Sequence, residues 1–459
     1  MFQITWRHLL CATRRNCPSS DKYKFSLVFF FHSPPLLSSP PIPMANSQKL
    51  KIATVLLTVS ALLYQSLTQR SPLLLLSTPG AVPDSHACKV HHPDLLSNCE
   101  DFARLPSTSY VFLSCDRGRR EWYHALSAFP SSAPKGEIFL WDYAQPAVAP
   151  VLLSTANSLG NDFHPLGISA VTTSPTTARL FIANQAKSSG SIEVLDVNLD
   201  TRTALHSQTL RHGGIQSPNG VAAVDASSLF VTNDAFFSRR WRTGLLLEVL
   251  LGLPGGNIVH VSVAPTEVSV DNVARVSFAN GIAVDKANAK LYVTSSTHGL
   301  YTYAILDPST TPHRAAAESF VRTPFAADNV LLDGSTVYVS GIPSIRNYFA
   351  NMLGTGPLPA SWTLQLLSPL PPRGENTLEV ALRRVDPANS ALRKEEWRWK
   401  SVFWDDGKFF GGVSSAAVVS PKGTFLASSV LTDGVLLCER VLERIGKAPK
   451  PEVKDKEEL

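Results

Sequence analysis

Residues 217–234, SPNGVAAVDASSLFVTND, contain the pattern that decides the fold. A short apolar run follows a polar loop residue, a turn follows the run, and a strand of the L-F-V type comes next. Short apolar runs rich in Val, Ile, Tyr and Phe, separated by Gly, Asp, Ser and Pro, are typical of β-sheets. The stretch therefore predicts two adjacent strands joined by a turn.

The same pattern recurs six times, at residues 100–116, 164–185, 217–234, 278–296, 326–342 and 411–429. Most copies are followed by a further strand candidate, at residues 136–143, 190–197, 243–250, 298–306 and 433–440. A repeat of about 50 to 60 residues with several short strands is typical of one four-stranded propeller blade. The predicted fold class is all-β, a six-bladed β-propeller. A solenoid is the alternative, although its repeats are usually shorter.

The predicted propeller covers residues 88–440, between a linker at 71–87 and a polar tail at 441–459. The longest gap between copies, residues 343–410, is rich in proline and then in charge, and it indicates an insertion. Two interpretations remain open for this insertion. One is a solvated loop with an outer strand, and the other is a lid over one end of the ring, with apolar contacts from Phe349, Met352, Leu353 and Trp362.

Composition and charge exclude several classes of protein. The chain has 459 residues, 44% of them hydrophobic and 17% charged, which disfavours both a disordered and a multispanning membrane protein. Residues 1–43 carry a net +4 of the formal charge of +5. The rest of the chain is therefore nearly neutral, and no nucleic-acid-binding face is predicted.

The amino-terminal region contains 18 uncharged residues, 52–69, between Lys51 and Arg70. At ~1.5 Å per residue this segment spans roughly 27 Å, about the thickness of the hydrocarbon core of a bilayer. Lysines on its amino side favour a cytoplasmic amino terminus. We therefore predict a transmembrane signal-anchor helix within residues 44–70 and a lumenal or extracellular body. A cleaved signal peptide and a buried core helix are the alternatives.

Both ends of the chain suggest how it is targeted. Residues 34–43 include five prolines. Met44 is a second candidate start of translation, directly before the apolar segment. We predict that residues 1–43 are a non-native or disordered extension and that translation starts at Met44. The last four residues, KEEL, resemble the K-D-E-L signal, so retention in the endoplasmic reticulum is a predicted destination within the secretory pathway.

Polar residues occupy the same place in four copies, just before the first apolar run: Glu100-Asp101, Asn219-Gly220, Asn280-Gly281 and Asp328-Asn329. Innermost strands of a propeller begin at one mouth of the central channel, so these residues are expected to converge on the axis. Carboxylate and amide oxygens suit a hard cation, and a wide, flexible set favours Ca²⁺ over Mg²⁺. The alternative for any single pair is an ordinary turn.

These motifs resemble those of the serum paraoxonase/arylesterase family of six-bladed propellers, over about residues 88–440. The shared motifs are SNCED, PLGIS, PNGVAAV followed by FVTNDAFF, FANGI, ADNV and GVLLCER. The resemblance implies a catalytic calcium bound by Glu100, Asn219, Asn280, Asp328 and Asn329.

The resemblance also implies a second, structural calcium at Asp101 and the backbone of Ile168, and a disulfide between Cys88 and Cys438. Pairing of Cys99 with Cys115 is left open.

Three positions depart from the family pattern. Gly220 stands where a carboxylate of the second calcium site is expected. Leu166 and Gln185 stand where animal members have histidines proposed to shuttle a proton. His164 lies two residues before Leu166, but a histidine beside a proline is more often a turn residue.

The predicted function is calcium-dependent hydrolysis of small lipophilic lactones and aryl esters, in which the cation polarises the carbonyl for attack by water. Glu100 and Asp328 are the predicted catalytic residues, as acceptors of the water proton. The sequence has neither a G-x-S-x-G elbow nor an H-E-x-x-H motif, which disfavours serine esterases and zinc hydrolases. The alternatives are a non-catalytic, calcium-pinned propeller that binds a protein partner and a strictosidine-synthase-like lyase.

Overall fold

The structure is a computed structural model. It describes residues 51, 53–61, 88–121, 133–153, 159–186, 189–236, 244, 248, 253–264, 267–306, 314–367, 398–420, 422–439 and 441. Within these residues, 24 strands form six antiparallel sheets of four strands each. The predicted six-bladed β-propeller is therefore confirmed.

The strands follow one another from the axis outward in each blade. Strand β1 (Cys88–His91) belongs to the last blade. Blade 1 contains β2 (Cys99–Arg104), β3 (Tyr110–Cys115), β4 (Glu137–Asp142) and β5 (Val151–Leu152). Blade 2 contains β6 (Pro165–Ser174), β7 (Thr177–Asn184), β8 (Ser191–Asn198) and β9 (Thr203–Leu210). Blade 3 contains β10 (Pro218–Asp225), β11 (Ser228–Asn233), β12 (Gly256–Val263) and β13 (Val268–Val276).

The second half of the ring is built in the same order. Blade 4 contains β14 (Ala279–Asp285), β15 (Lys290–Ser295), β16 (Gly299–Leu306) and β17 (Arg314–Val321). Blade 5 contains β18 (Ala326–Asp333), β19 (Thr336–Ile342), β20 (Ser361–Leu367) and β21 (Arg398–Asp405), with helix α1 (Ile345–Met352) between β19 and β20. Blade 6 contains β22 (Val413–Val418), β23 (Phe425–Ser429), β24 (Val435–Cys438) and, as its outermost strand, β1.

Each of the six sequence copies forms the two inner strands of one blade. The predicted third strand at residues 243–250 is wrong, because β12 begins at Gly256 and the described residues of that stretch, Gly244 and Glu248, are helical. The error has a physical cause. The run TGLLLEVL is apolar enough to suit either a strand or a buried helix, and periodicity alone does not separate the two.

The ring closes through blade 6, which combines strands from both ends of the propeller. Cys88 of β1 lies directly opposite Cys438 of β24 and is disulfide-bonded to it. A second disulfide joins Cys99 to Cys115 across the paired strands β2 and β3. The pairing implied by the resemblance and the pairing that the sequence left open are both present.

The interval 343–410, predicted as an insertion, contains blade structure. It includes α1, β20 and β21, and Trp362 of β20 packs within blade 5 against Phe325 and Trp404. Met352 is buried against Val430 and Leu431. The candidate insertion is thereby shortened to residues 368–397, between β20 and β21, all of which lie outside the described residues.

The predicted anchor lies largely outside the described residues. Lys51 and residues 53–61 are helical, whereas residue 52 and residues 62–70 fall outside. In the part of the chain that the structure describes, no helix combines the length and the apolar character needed to cross a membrane. The extension at residues 1–43 and the carboxyl-terminal KEEL also lie outside the described residues.

Candidate functional site

Every innermost strand has a register irregularity near its start. The pairing of β2, β6, β10, β14, β18 and β22 with the second strand of each blade shifts at this point. A β-bulge of this kind re-aims side chains that a regular ladder would hold above and below the sheet. The residues at the six bulges include all five predicted ligands of the catalytic calcium: Glu100, Asn219, Asn280, Asp328 and Asn329.

Glycines next to these residues allow neighbouring innermost strands to lie unusually close. A Cβ atom at Gly220 would lie 2.7 Å from the carbonyl oxygen of Asn280, and one at Gly281 would lie 2.6 Å from the Cα of Asn329. Both distances are too short for any side chain without a backbone shift. Strands β10, β14 and β18 are therefore in backbone contact where the candidate ligands lie.

A hydrogen bond joins two of the five predicted ligands, and other contacts link the remaining three. The Nδ2 of Asn329 donates to the Oε1 of Glu100 at 2.9 Å, although the two residues are 229 positions apart. The amide of Asn280 faces Asp328 and opposes the rise in the pKa of that carboxyl. Asn219 is linked through Gly220, whose backbone lies against Asn280.

In the amide groups of Asn219 and Asn280, the nitrogens have protein partners and the oxygens do not. The Nδ2 of Asn280 also donates to the Oγ of Ser296 at 3.0 Å, and the Nδ2 of Asn219 lies 3.5 Å from the Oδ2 of Asp234. The Oδ1 atoms of both asparagines and the Oε2 of Glu100 are buried without a hydrogen-bond partner. Buried polar atoms without partners are rare, and oxygens grouped in this way are the donors that calcium prefers. The residues present therefore fit a hard cation.

The electrostatics of the site agree with this interpretation. Burial raises the pKa of Glu100 well above its usual value, and the charges of Asp101 and Asp328 raise it further. Burial also raises the pKa of Asp328 to about 7, against the effect of the Asn280 amide. Carboxyl groups that repel one another in a buried site require a proton or a cation to be stable. Among the described residues, no three His, Cys, Asp or Glu side chains form a group able to hold a metal, so any cation here depends on the amides.

The predicted second site has different geometry. Both oxygens of Asp101 have protein donors: the N–H groups of Phe102 at 2.8 Å and Ile168 at 3.0 Å, and the Oγ of Ser415 at 2.6 Å. Burial raises the pKa of Asp101 to about 6, and these hydrogen bonds oppose the rise. Gly220 adds no carboxylate here. The Asn280 carbonyl occupies the space that a side chain at this position would need. Asp101 and Ile168 thus meet, but through a direct hydrogen bond.

Below the bulges, the axis widens into a cavity of about 230 Å³. Asp101, Gly220 and Asn329 lie on its wall together with Arg104 and Ser169, and apolar side chains, mostly of the innermost strands, line the rest. One of the candidate ligands, Asn329, therefore lies beside this space on the axis of the ring.

The residues at the family's histidine positions have other partners. Leu166 is buried in the apolar cluster of blades 2 and 3. The Nε2 of Gln185 lies 3.4 Å from the Oδ2 of Asp234. His164 is fully buried, and its Nδ1 is 3.1 Å from the Oδ2 of Asp116, a carboxylate that also contacts Arg119.

Sequence reasoning missed Asp234. This carboxylate is fully buried, accepts a hydrogen bond from the Oγ of Ser217 and holds the amide of Asn219. It directly follows β11, within the FVTNDAFF motif. An acidic residue at the end of a buried strand, beside a candidate ligand strand, was the available signal.

The fold and the site together define a six-bladed propeller with an oxygen-lined axial centre. Residues 86–307 match the family model described as Arylesterase. The chain is 31% identical to "Serum paraoxonase/arylesterase 1" of Mus musculus over 234 residues, which is 49% of this chain and 60% of that protein. It is 32% identical to "Serum paraoxonase/arylesterase 2" of Gallus gallus over 217 residues, which is 47% of this chain and 57% of that protein.

Among solved structures, the chain is similar to the allergen Mala s 1 of Malassezia sympodialis, with 12% identity and a TM-score of 0.44 over 74% of this chain and 92% of that one. The chain spans about three fifths of the length of the two curated relatives. The family model covers residues 86–307, and the predicted resemblance to the serum paraoxonase/arylesterase family is confirmed.

Proposed function

We propose that the protein is a calcium-dependent hydrolase of lactones and aryl esters. The observation that carries the proposal is the axial group of buried oxygens without protein partners, the Oδ1 atoms of Asn219 and Asn280 and the Oε2 of Glu100. These three residues lie within residues 86–307, which match the Arylesterase family model, and the relatives of the chain are named for paraoxonase and arylesterase activity. Family membership supports the reaction class, and the oxygens support the cation.

Five residues would hold the cation: Glu100, Asn219, Asn280, Asp328 and Asn329. When bound, Ca²⁺ supplies a Lewis acid that polarises an ester carbonyl and stabilises the negative charge formed on its oxygen. The chain itself contributes preorganisation. Because the asparagine nitrogens are already hydrogen-bonded, the oxygens are held in place before any ligand arrives.

Of the two predicted catalytic carboxylates, Asp328 is better placed to accept the proton of an attacking water. Glu100 is only 4% exposed and is held by Asn329, whereas Asp328 keeps intermediate exposure. The pKa of Asp328 is raised to about 7 in the site without its cation, and a bound cation would lower it, so the greater exposure of Asp328 carries this assignment. We assign proton acceptance to Asp328 and the holding of the site to Glu100.

We propose one cation per chain. Asp101 accepts hydrogen bonds from Phe102, Ile168 and Ser415, and Gly220 supplies no side-chain oxygen. A second cation at Asp101 would have to displace these donors and find other ligands.

The two disulfides favour an oxidising compartment, because such bonds are rare where thiols are kept reduced. We propose a secreted or lumenal protein, held at a membrane through residues 52–69, with KEEL as a retention signal in the endoplasmic reticulum. A small lipophilic lactone or ester is the proposed substrate, and no nucleic-acid partner is proposed.

The test is hydrolysis of a panel of aliphatic lactones and phenyl acetate by the purified protein, with calcium, with excess chelator, and with calcium restored. We expect turnover that chelation abolishes and calcium restores. Folding is checked in each state by circular dichroism. The rates across the panel also rank the substrates.

Two other outcomes are informative. Calcium binding at one site without turnover of any substrate would contradict the hydrolase and favour the non-catalytic, calcium-pinned propeller. Turnover that is unchanged in excess chelator would contradict the cation and leave the hydrolase without its proposed centre.

A further inference from the structure

A hydroxyl side chain recurs at one register position of the second strands. In each blade this position faces the bulge of the innermost strand. Five of the six residues there are serine or threonine: Ser114, Thr232, Thr294, Ser340 and Ser428. The sixth is Ala183 of blade 2.

Three of these hydroxyls reach across to the next blade. The Oγ of Ser114 donates to the carbonyl of Leu166 at 2.5 Å. The Oγ1 of Thr232 donates to the carbonyl of Asn280 at 2.5 Å, and the Oγ1 of Thr294 donates to the carbonyl of Asp328. Each acceptor is the bulged residue of the neighbouring innermost strand.

Thr232 bridges two bulges. Its Oγ1 accepts the N–H of Gly220 at 2.8 Å while it donates to the carbonyl of Asn280. Gly220 directly follows Asn219, so one buried hydroxyl fixes the backbone of two candidate ligands relative to each other. The side chain is fully buried, and no solvent replaces these bonds if the hydroxyl is removed.

Blade 2 shows what happens without the hydroxyl. Ala183 offers no donor to the carbonyl of Asn219, and the side chain of Asn219 is instead held by Asp234. Asn219, Asn280 and Asp328 therefore each have a contact outside the ligand group, but only the carbonyls of Asn280 and Asp328 accept a hydrogen bond from a threonine hydroxyl.

We propose that Thr232 and Thr294 are positioning residues for the axial cation. By fixing the carbonyls of Asn280 and Asp328, they set where the Oδ1 of Asn280 and the carboxylate of Asp328 lie. The inference rests on the proposed function, since it concerns the cation of that site. It goes further by assigning part of the cation affinity to residues that do not touch the cation.

The test compares calcium affinity, measured by isothermal titration calorimetry, in the wild-type protein, Thr232→Val, Thr294→Val and Thr232→Ser. Valine keeps the shape of threonine without the hydroxyl, and serine keeps the hydroxyl. We expect affinity at least tenfold weaker in each valine variant and within about threefold of wild type in Thr232→Ser.

Ser340→Ala is the matched control. Ser340 occupies the same register position and is equally buried, but its hydroxyl bonds Thr363 within blade 5 at 3.1 Å. We expect its calcium affinity to stay within twofold of wild type. Thermal melting of the metal-free variants reports any general loss of stability, and Thr294→Ala replaces a valine variant that fails to fold.

Wild-type affinity in both valine variants would overturn the inference, as would an equal loss in Ser340→Ala, which indicates general destabilisation. The proposed function fails in a different way. A wild-type protein that binds calcium without hydrolysing esters refutes the reaction but still allows this test. A wild-type protein that binds no calcium refutes both proposals.

Discussion

The axis of the ring differs in regularity from the seam, the pairing of β1 with β24 that closes the ring. At the seam, β1 pairs with β24 in unbroken register, and the disulfide Cys88–Cys438 fixes that pairing. At the axis, every innermost strand is irregular, and three buried oxygens lack protein partners. The seam contains what stabilises the fold, and the axis contains groups that destabilise it unless something binds.

This division has a physical reason. Unpaired buried oxygens and neighbouring carboxylates cost free energy, so the rest of the ring must hold them in place. Closing the sheet ring from both ends of the propeller constrains all six blades at once. Changes at the seam should therefore alter the free energy of unfolding, and changes at the axis should alter cation affinity.

The largest expected effect is at the seam. The Cys88–Cys438 bond spans 350 residues and the Cys99–Cys115 bond spans 16. By the loop-entropy model, removing the first lowers the free energy of unfolding by about 6 kcal/mol and removing the second by about 3 kcal/mol. Chemical denaturation of the Cys88→Ala/Cys438→Ala and Cys99→Ala/Cys115→Ala proteins measures the difference. Equal losses in the free energy of unfolding would show that the disulfide at the seam stabilises the fold no more than the shorter one does.

The second effect is at the axis. Asn280→Ala and Asp328→Ala each remove a candidate ligand oxygen, and we expect calcium affinity to fall about 100-fold, which is about 3 kcal/mol. Hydrolysis should be lost with it. Asn272→Ala is the matched control, because Asn272 is an asparagine of the outermost strand of blade 3 that bonds only Asn257 among the described contacts. Calcium titration that gives the same affinity for Asn280→Ala and Asn272→Ala would contradict the site.

The third effect joins the two regions. Gly281→Ala places a Cβ atom 2.6 Å from the Cα of Asn329, so β14 and β18 must separate. We expect a loss of about 1–3 kcal/mol in the free energy of unfolding, together with weaker calcium binding. Gly213→Ala, where no atom lies within 4 Å of the added carbon, is the control. If Gly281→Ala lowers stability without changing calcium affinity, the close approach of the strands serves packing alone.

The architecture was predictable because its signal is repeated. Six copies of one two-strand pattern mark the inner strands, and all six were found where the sequence placed them. The third and fourth strands were less predictable, since the recurring pattern covers only the two inner strands of each blade. Two regions illustrate this. Residues 243–250 were predicted as a strand, whereas their described residues, Gly244 and Glu248, are helical, and β20 and β21 lie within the interval predicted as an insertion.

For the site, the sequence predicted the candidate residues but not their supports. Asn219, Asn280 and Asp328 share a place in the repeat, so register alone brings them to the axis. Thr232 and Asp234 act through contacts between strands whose distance no sequence pattern encodes. The hydrogen bond from Ser415 to Asp101 likewise joins two strands at residues 314 positions apart.

The smallest expected effect is at the far end of the innermost strands. There the Nη1 of Arg104, on β2, lies 2.7 Å from the Oδ1 of Asp333, on β18, with 28% and 32% of the two side chains exposed. Because water screens such a pair, Arg104→Met should lower the free energy of unfolding by at most about 1 kcal/mol and leave calcium affinity unchanged. Denaturation and calcium titration of this variant test both expectations. A change in calcium affinity would mean that the bulges respond to contacts along the whole length of β2 and β18. The innermost strands would then act as one coupled element, and the cation site would not be confined to one end of them.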